Sequence, residues 1–260
     1  MRTRENTRFV LGIAGISAVL VLIFGFGAGV LRAQQQPVTV QVEITRNAAA
    51  KKSDQPRNTD DRSDVVIWLT PLDRAAAALV SSSDSKSLPK IVQRNKMFDP
   101  HLLVIQAGTP VQFPNQDPFF HNVFSLFNGK RFDLGLYEAG TSKTVHFDRV
   151  GVSFLFCNIH EGMNAVVVAV PTPYFGLSDH SGRINIPNVP DGRYQLQVWF
   201  ERSSPEELKN LSRVVTISAN PSSRSLEAIH IVDDPNFTLA HKNKYGEDYV
   251  PPPTAGYSAP

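Results

Sequence analysis

The sequence has almost no cysteine, because Cys157 is the only one among 260 residues. A single cysteine excludes an internal disulfide, and it excludes the Cys-x-x-Cys-His attachment motif of c-type haem, which needs two. An exposed free thiol is open to oxidation outside a reducing compartment. Cys157 is therefore expected either to be buried and inert, which is the usual fate of a lone cysteine, or to be held by a metal.

The chain also lacks an excess of charge of one sign. Its 26 Lys and Arg against 24 Asp and Glu give a formal net charge of +2 at pH 7. No basic patch stands out, so nucleic acid is not expected as a partner. Short apolar runs, rich in phenylalanine, are separated by prolines and glycines, which predicts a mostly β chain of one large or two modest domains.

One long apolar run is present, at the N-terminus. Three arginines within the first eight residues precede an almost unbroken apolar stretch from 9 to 31. This pattern predicts export, with the positive flank left in the cytoplasm. About 20 residues are needed to span a bilayer, so residues 9–31 are expected to anchor the protein, which would be periplasmic or otherwise extracytoplasmic. A cleaved signal peptide, leaving a chain that begins at Gln34, is the alternative.

Patterning divides the rest of the chain. Val38 to Thr45 alternates apolar and polar residues, as a half-buried strand does, but the sequence leaves open which domain it joins. The predicted segments are 1–33, the signal peptide or anchor; 34–89, a strand, a polar linker and an Ala/Ser-rich stretch leading into the core; 90–170, short strands with turns between them; 171–232, a smaller β-sandwich; and 233–260, an extended polar tail.

Two metal-binding side chains follow Cys157 closely. His160 and Met163 come at intervals of three, between two apolar runs, so the three residues are predicted on a loop that joins two strands. Thiolate, imidazole and thioether are the soft donors that copper prefers, and a type 1 copper centre requires one more imidazole. His121, in the sequence Phe-Phe-His-Asn-Val, is the candidate, predicted in a loop from a different strand end.

Other interpretations of these residues exist. Taken alone, His121 could be a core histidine, Met163 a core filler and His160 a surface residue. Zinc is a weaker choice than copper, because a thioether is a poor zinc ligand and structural zinc usually has four Cys or His ligands. A Cys/His hydrolase would also need a third group and an oxyanion hole. The remaining histidines are interpreted as ordinary strand, turn or tail residues: His101, His146, His180, His230 and His241.

In combination, these motifs resemble the cupredoxin family, and within it amicyanin and plastocyanin-like proteins. The resemblance covers about 90–170 and lies in His121-Asn122-Val123 and in Cys157-x-x-His160-x-x-Met163, whose compact spacing is amicyanin-like. It implies a Greek-key cupredoxin β-sandwich with one type 1 copper ion.

The resemblance also implies roles for single residues. The copper ligands would be His121, Cys157, His160 and Met163, and Asn122 would be the neighbouring residue that ties the two ligand segments together. In that family the more exposed imidazole, matched here by His160, passes the electron. Amicyanin-like loops have apolar or proline residues beside this histidine, whereas this chain has Glu161-Gly162, which places a negative charge at the expected docking surface.

Residues 174–232 resemble the carboxypeptidase regulatory-like domains, which have a transthyretin-type sandwich and are generally not catalytic. Matching features include Asp179-x-x-Gly182 and Val189-Pro190-x-Gly192-x-Tyr194. The expected fold class is therefore all-β, with the cupredoxin sandwich followed by a smaller transthyretin-like sandwich.

The expected function is extracytoplasmic transfer of single electrons through Cu(I)/Cu(II), not enzymatic catalysis. The redox partner, a protein or enzyme, is not identified by the sequence, and contact with the membrane would come through the N-terminal segment. Two alternatives remain open: a copper-handling module without electron transfer, and a structural or adhesion protein with a degenerate site.

Overall fold

The computed structural model describes residues 36–46, 61–73, 87–126, 129–234, 237 and 241–249. All of them belong to one compact unit that spans 34–260. The predicted membrane or signal segment 1–33 lies outside the described residues, as does most of the Ala/Ser-rich stretch. Among the residues described, no helix is long and apolar enough to cross a membrane.

The predicted all-β class is confirmed. The described part of the chain contains sixteen strands, one short α-helix and one 3-10 turn, Pro221–Arg224. The strands are β1 Val38–Arg46, β2 Val66–Pro71, β3 Val92–Arg94, β4 Met97–Asp99, β5 Leu102–Gln106, β6 Thr109–Pro114, β7 His121–Ser125, β8 Phe132–Tyr137, β9 Ser142–Phe147, β10 Gly151–Phe156, β11 Asn164–Val170, β12 Phe175–Leu177, β13 Arg183–Ile186, β14 Gly192–Trp199, β15 Arg213–Ile217 and β16 Ile229–Asp233; the helix is α1, Pro205–Asn210.

The first sandwich is built from strands β3 to β11. A five-stranded sheet has the order β5-β11-β10-β7-β8, and the hairpin β3–β4 and the pair β6–β9 supply the opposing strands. Their inward side chains form one apolar cluster that includes Phe113, Phe147 and Leu155, and this cluster also contains Cys157 and Met163. The motif-bearing loop therefore enters the sandwich core.

The sheet order explains why distant ligand segments meet. Strand β7 runs antiparallel to β10, with Phe124 opposite Phe156. The start of β7 thus lies beside the end of β10. His121 is the first residue of β7, so the segment predicted as a loop is a strand at this point, and Cys157 directly follows β10.

The second sandwich combines strands from both ends of the described chain. Its sheets have the orders β13-β1-β16 and β12-β2-β14-β15. The sequence left open which domain the strand from Val38 joins. This strand, β1, pairs with β13 and β16 and therefore belongs to the second sandwich. This sandwich does not simply follow the first one, since β1 and β2 precede it in the chain and β12 to β16 come after it.

Strand β11 joins the two sandwiches. Ala165, Val167 and Ala169 point into the first core. The alternate residues of the strand form a separate apolar cluster with Val66 of β2: Val166, Val168 and Val170. Burial on both faces accounts for the continuous apolar run of this strand. Trp68 and Trp199 pack against this second cluster.

The short helix α1 begins where its capping sequence predicts. Ser204 is the N-cap, and its side-chain oxygen accepts a hydrogen bond from the backbone N–H of Glu207. Pro205 occupies the first helical position, where its missing N–H costs nothing. Leu208 is the buried residue that attaches the helix to the second sandwich.

Candidate metal centre

Three of the predicted ligands lie together. The thiol sulfur of Cys157 is 3.8 Å from Nδ1 of His121 and 3.6 Å from Nδ1 of His160. The three donor atoms all lie within 4.8 Å of one another. His121 and Cys157 are fully buried, whereas His160 is half-buried. A residue from β7 and two from the β10–β11 loop thus form one cluster.

These separations fit a trigonal metal site. Metal–nitrogen bonds of about 2.0 Å and metal–thiolate bonds of about 2.3 Å, set about 120° apart, would separate nitrogen and sulfur by about 3.7 Å. Both Nδ1 atoms are at that distance from the sulfur. One thiolate and two imidazoles in a plane are the donor set of a type 1 copper centre, so the residues present fit that ion.

The thiol sits in an environment with opposing effects on its charge. Burial raises the pKa of Cys157, and backbone N–H groups of Asn122, Ile159 and His160 that point at the sulfur lower it, with the pKa raised on balance. Three N–H donors are suited to a thiolate, because a negatively charged sulfur accepts hydrogen bonds better than a neutral thiol does. A metal that displaces the thiol proton would leave a thiolate, which can accept the hydrogen bonds of these N–H groups.

Met163 closes the segment 157–163, which is called the ligand loop. Its backbone N–H donates to the carbonyl of His160 at 3.1 Å, and its own carbonyl accepts from the N–H of Cys157 at 3.2 Å. Its side chain is 1% exposed and belongs to the core cluster that contains Cys157. Its assignment as the fourth ligand stays a prediction.

Asp117 lies against the candidate site, and sequence reasoning missed it. Its Oδ2 lies 2.7 Å from Nε2 of His121, and the carboxylate is 5% exposed. Because a carboxylate accepts, Nε2 of His121 carries the proton, which leaves Nδ1 free to bind a metal. This contact fixes the tautomer and the ring orientation of His121.

A tight hairpin holds Asp117 in turn. The backbone N–H groups of Asn95 and Lys96 donate to its two oxygens at 2.6 and 2.9 Å. Both residues have positive φ, as the two-residue turn between β3 and β4 requires. Burial raises the pKa of Asp117, but these hydrogen bonds and the one with His121 outweigh it, so the pKa is lowered. The group is therefore a carboxylate at neutral pH.

His160 forms the outer edge of the site. Burial lowers the pKa of its imidazole, and the neighbouring His121 and Lys96 lower it further. The Phe119 ring lies beside both imidazoles, with its centroid 5.2 Å from that of His121 and 5.7 Å from that of His160. A neutral imidazole at the protein surface can bind a metal on one side and face a partner on the other.

Asn122 links the site to the next strand. Its side-chain amide donates to Oδ1 of Asp133 on β8 at 2.8 Å, and its backbone N–H points at the thiol of Cys157. The link to the ligand loop thus runs through the backbone and not through the side chain. Its predicted role in tying the two ligand segments together stays a prediction, and this geometry supports it.

The remaining histidines differ in kind. Three of them pair with single acidic residues, His101 with Glu201, His180 with Asp61 and His230 with Glu43. His241, interpreted as an ordinary tail residue, is instead stacked on Phe156 at 3.8 Å between ring centroids, directly before the ligand loop. Its sequence surroundings are polar and contain no ligand-like spacing, so no pattern predicted this contact.

No protein-family model and no curated protein matches this sequence. Several solved structures are similar to part of it. A copper-containing nitrite reductase from Thermus scotoductus is 22% identical over 39% of this chain and 27% of its own, with a TM-score of 0.31. This chain therefore spans about a quarter of that protein.

Two other solved proteins are covered almost completely. A purple cupredoxin from Nitrosopumilus maritimus is 23% identical over 32% of this chain and 99% of its own, with a TM-score of 0.29. An amicyanin mutant in its Cu(I) form is 14% identical over 40% of this chain and 98% of its own, with a TM-score of 0.31. The resemblance of residues 174–232 to a carboxypeptidase regulatory-like domain stays a prediction.

Proposed function

We propose that the first sandwich binds one type 1 copper ion and that the protein transfers single electrons. The ligands in this proposal would be the thiolate of Cys157 and Nδ1 of His121 and His160, with the Met163 thioether as a weaker fourth ligand. A bound copper ion would supply one-electron Cu(I)/Cu(II) chemistry. The protein acts in this proposal as a carrier and not as an enzyme.

The observation that carries the proposal is the arrangement of the three donor atoms. Two imidazole Nδ1 atoms lie 3.6 and 3.8 Å from one buried thiol, and the three come from two segments whose backbone is held in one sheet. Chance burial of a lone cysteine does not require two imidazoles turned toward it by the same ring nitrogen. The Asp117 contact, which leaves the Nδ1 of His121 unprotonated, supports the same ligand set.

The protein residues have separate tasks in this proposal. Asp117 keeps the proton of His121 on Nε2 and holds the ring in place. The N–H groups of Asn122 and Ile159 stabilise the negative sulfur, and the surrounding phenylalanines and valines exclude water from it. Because these groups are fixed by strands and a hairpin, little has to move when the charge of the site changes, which favours rapid electron transfer.

Electron exchange would occur at His160. Of the three donors it alone reaches the surface. Two apolar side chains that precede a ligand in sequence are exposed: Phe120, beside His121, by 55% and Ile159, beside His160, by 45%. An apolar rim suits a transient protein partner. Glu161 adds a negative charge beside it, so a partner with a complementary positive charge is favoured.

We also propose that the protein works outside the cytoplasm, anchored by residues 9–31, with a redox protein or enzyme as its partner. The apolar run with its arginine flank supports export. Mass measurement of the mature chain tests the anchor. A retained N-terminus in the membrane fraction is expected, and a soluble product that begins at Gln34 would show a cleaved signal peptide instead.

Titration of the full-length protein with Cu(II) tests the site. Intense visible absorption from thiolate-to-copper charge transfer is expected at one equivalent, followed by a reversible one-electron voltammetric wave. Cys157→Ser should abolish the band, because only the thiolate can supply it. Ser153→Ala, a buried change on the neighbouring strand β10, is the control and should keep it.

The outcomes separate the alternatives. Copper binding with an irreversible wave and easy metal loss would favour copper handling without electron transfer. Failure of the purified protein to bind copper would favour a structural protein with a degenerate site.

A further inference from the structure

A segment near the C-terminus lies directly against the ligand loop. This segment, 241–249, is called the C-terminal strap here, and 157–163 is the ligand loop. The strap follows the last strand of the second sandwich in sequence but contacts the first sandwich. Its half-buried residues His241, Lys244 and Tyr249 face the loop, whereas Lys242 and Tyr245 between them are exposed.

Two strap residues bind the backbone of the ligand loop. The hydroxyl of Tyr249 donates to the carbonyl of Cys157 at 2.7 Å. Nε2 of His241 lies 3.0 Å from the carbonyl of Glu161, to which it donates, while the His241 ring stacks on Phe156. The two contacts hold the loop on either side of His160, one at the carbonyl of Cys157 and the other at the carbonyl of Glu161.

Lys244 connects the strap to both ligand-bearing segments. Its backbone N–H donates to Oδ1 of Asn158 in the ligand loop at 2.9 Å. Its Nζ donates to Oδ2 of Asp133 at 2.8 Å, and Oδ1 of the same carboxylate accepts from the side chain of Asn122. One lysine therefore bridges the loop that follows β10 and the β7–β8 pair that carries His121.

The loop has few contacts of its own with which to keep this shape. Besides the N–H groups of Ile159 and His160 that point at the Cys157 thiol, the loop backbone makes two internal hydrogen bonds, Cys157 to Met163 and Met163 to His160. Its central residues 159, 161 and 162 are exposed. A metal site needs its ligands held to within about 0.5 Å of the productive geometry. The strap supplies three further hydrogen bonds and one ring contact from outside.

We propose that the C-terminal strap is a structural part of the metal centre, with Tyr249, His241 and Lys244 as positioning residues that hold the ligand loop in its metal-binding conformation. The effect on the loop does not depend on any metal. The consequence for copper retention rests on the function proposed above. The second sandwich, whose last strand leads into the strap, thereby contributes to the site in the first.

Hydrogen exchange in the metal-free full-length protein tests the strap without reference to copper. Tyr249→Phe removes the hydroxyl that binds the Cys157 carbonyl and that also lies 3.2 Å from Nδ1 of His241. The amides of Cys157 and Met163 should exchange about fivefold faster, which is the scale of one net hydrogen bond. The triple variant Tyr249→Phe, His241→Leu, Lys244→Met should raise the rate at least about tenfold by the same reasoning. Exchange of the β11 amides in the same molecule gives the internal reference.

Tyr194→Phe is the matched control. Its hydroxyl also donates to a backbone carbonyl, that of Pro190 at 2.8 Å, but in the second sandwich. It should leave the ratio of loop to β11 exchange unchanged. Unchanged loop exchange in the triple variant would overturn the proposal, as would an equal effect of the Tyr194 control on that ratio.

Copper release to a chelator gives the second readout. If the wild-type protein binds copper, the triple variant should lose it at least about tenfold faster, in step with loop opening. If no copper binds but loop exchange still rises, the strap is upheld and the proposed function fails. If copper binds and neither rate changes, the function stands and the strap is refuted.

Discussion

The two sandwiches are built from the same kinds of strands but differ in what they bury. The second has a core of apolar side chains from alternating strands such as β13 and β16, in which every other residue is buried. In the first, all five residues of β7 are buried, His121, Asn122 and Ser125 among them. Burying polar groups costs free energy unless they are hydrogen-bonded. The composition of this strand therefore suits a binding site and is not explained by stability alone.

The largest expected effect removes a ligand from the first sandwich. His121→Ala should weaken copper binding by on the order of 1,000-fold, because a change beside a ligand already costs about 10–100-fold and this change removes the ligand itself. Competition with a chelator of known affinity measures it. His146→Ala, at an exposed position on β9, is the control. Equal affinity in the two variants would contradict the ligand assignment.

Shortening a core side chain in the second sandwich should lower the stability of the protein without affecting the metal site. Leu196 is fully buried in that core, and Leu196→Ala should reduce the free energy of unfolding by about 2–5 kcal/mol. Denaturant titration measures the loss, and the visible spectrum of the copper form should not change. Val214→Ala, 54% exposed on β15, should change neither. A shifted spectrum in Leu196→Ala would mean that the two cores are not separable.

An intermediate effect is expected from the carboxylate beside His121. Asp117→Asn keeps the shape but removes the negative charge, so copper binding should weaken about 10–100-fold and the reduction potential should rise. Chelator competition and voltammetry test the two effects. Asp148→Asn, an exposed carboxylate paired with Lys130, is the control. An unchanged or lowered potential would show that Asp117 does not act through His121.

The smallest expected effect concerns the contact between the sandwiches. His101 after β4 lies 2.9 Å from Glu201 after β14. The hydrogen bond with Glu201 raises the pKa of His101, burial opposes it, and the pKa is raised on balance. The stabilisation is therefore full below the unfolded value near 6.5 and is lost as pH rises through the higher folded value.

Because His101 is partly exposed, solvent screens this pair, and less than about 1 kcal/mol is expected. The melting temperature of Glu201→Gln, compared with wild type at about pH 5.5 and about pH 8.5, measures it across the histidine range. Only the lower pH should show a difference. Glu206→Gln on the exposed face of α1 is the control. A difference that grows with pH would contradict the assigned protonation.

Local patterns in the sequence were sufficient for the all-β class, for the strand that begins at Val38 and for the grouping of His121, Cys157 and His160. They could not assign β1, because its alternating pattern fits either sandwich and its partners β13 and β16 are far away in the chain. They also missed Asp117 and the strap. A carboxylate or a tyrosine has no distinctive spacing until the fold brings it beside a ligand, and Tyr249 is 92 residues from Cys157.

X-ray absorption at the copper edge tests the central claim most directly. With one equivalent of copper bound to the full-length protein, the first shell should contain one short sulfur and two imidazole nitrogens, from Cys157, His121 and His160. The sulfur should disappear in Cys157→Ser. A shell of nitrogen and oxygen alone in the wild-type protein would contradict the proposed centre.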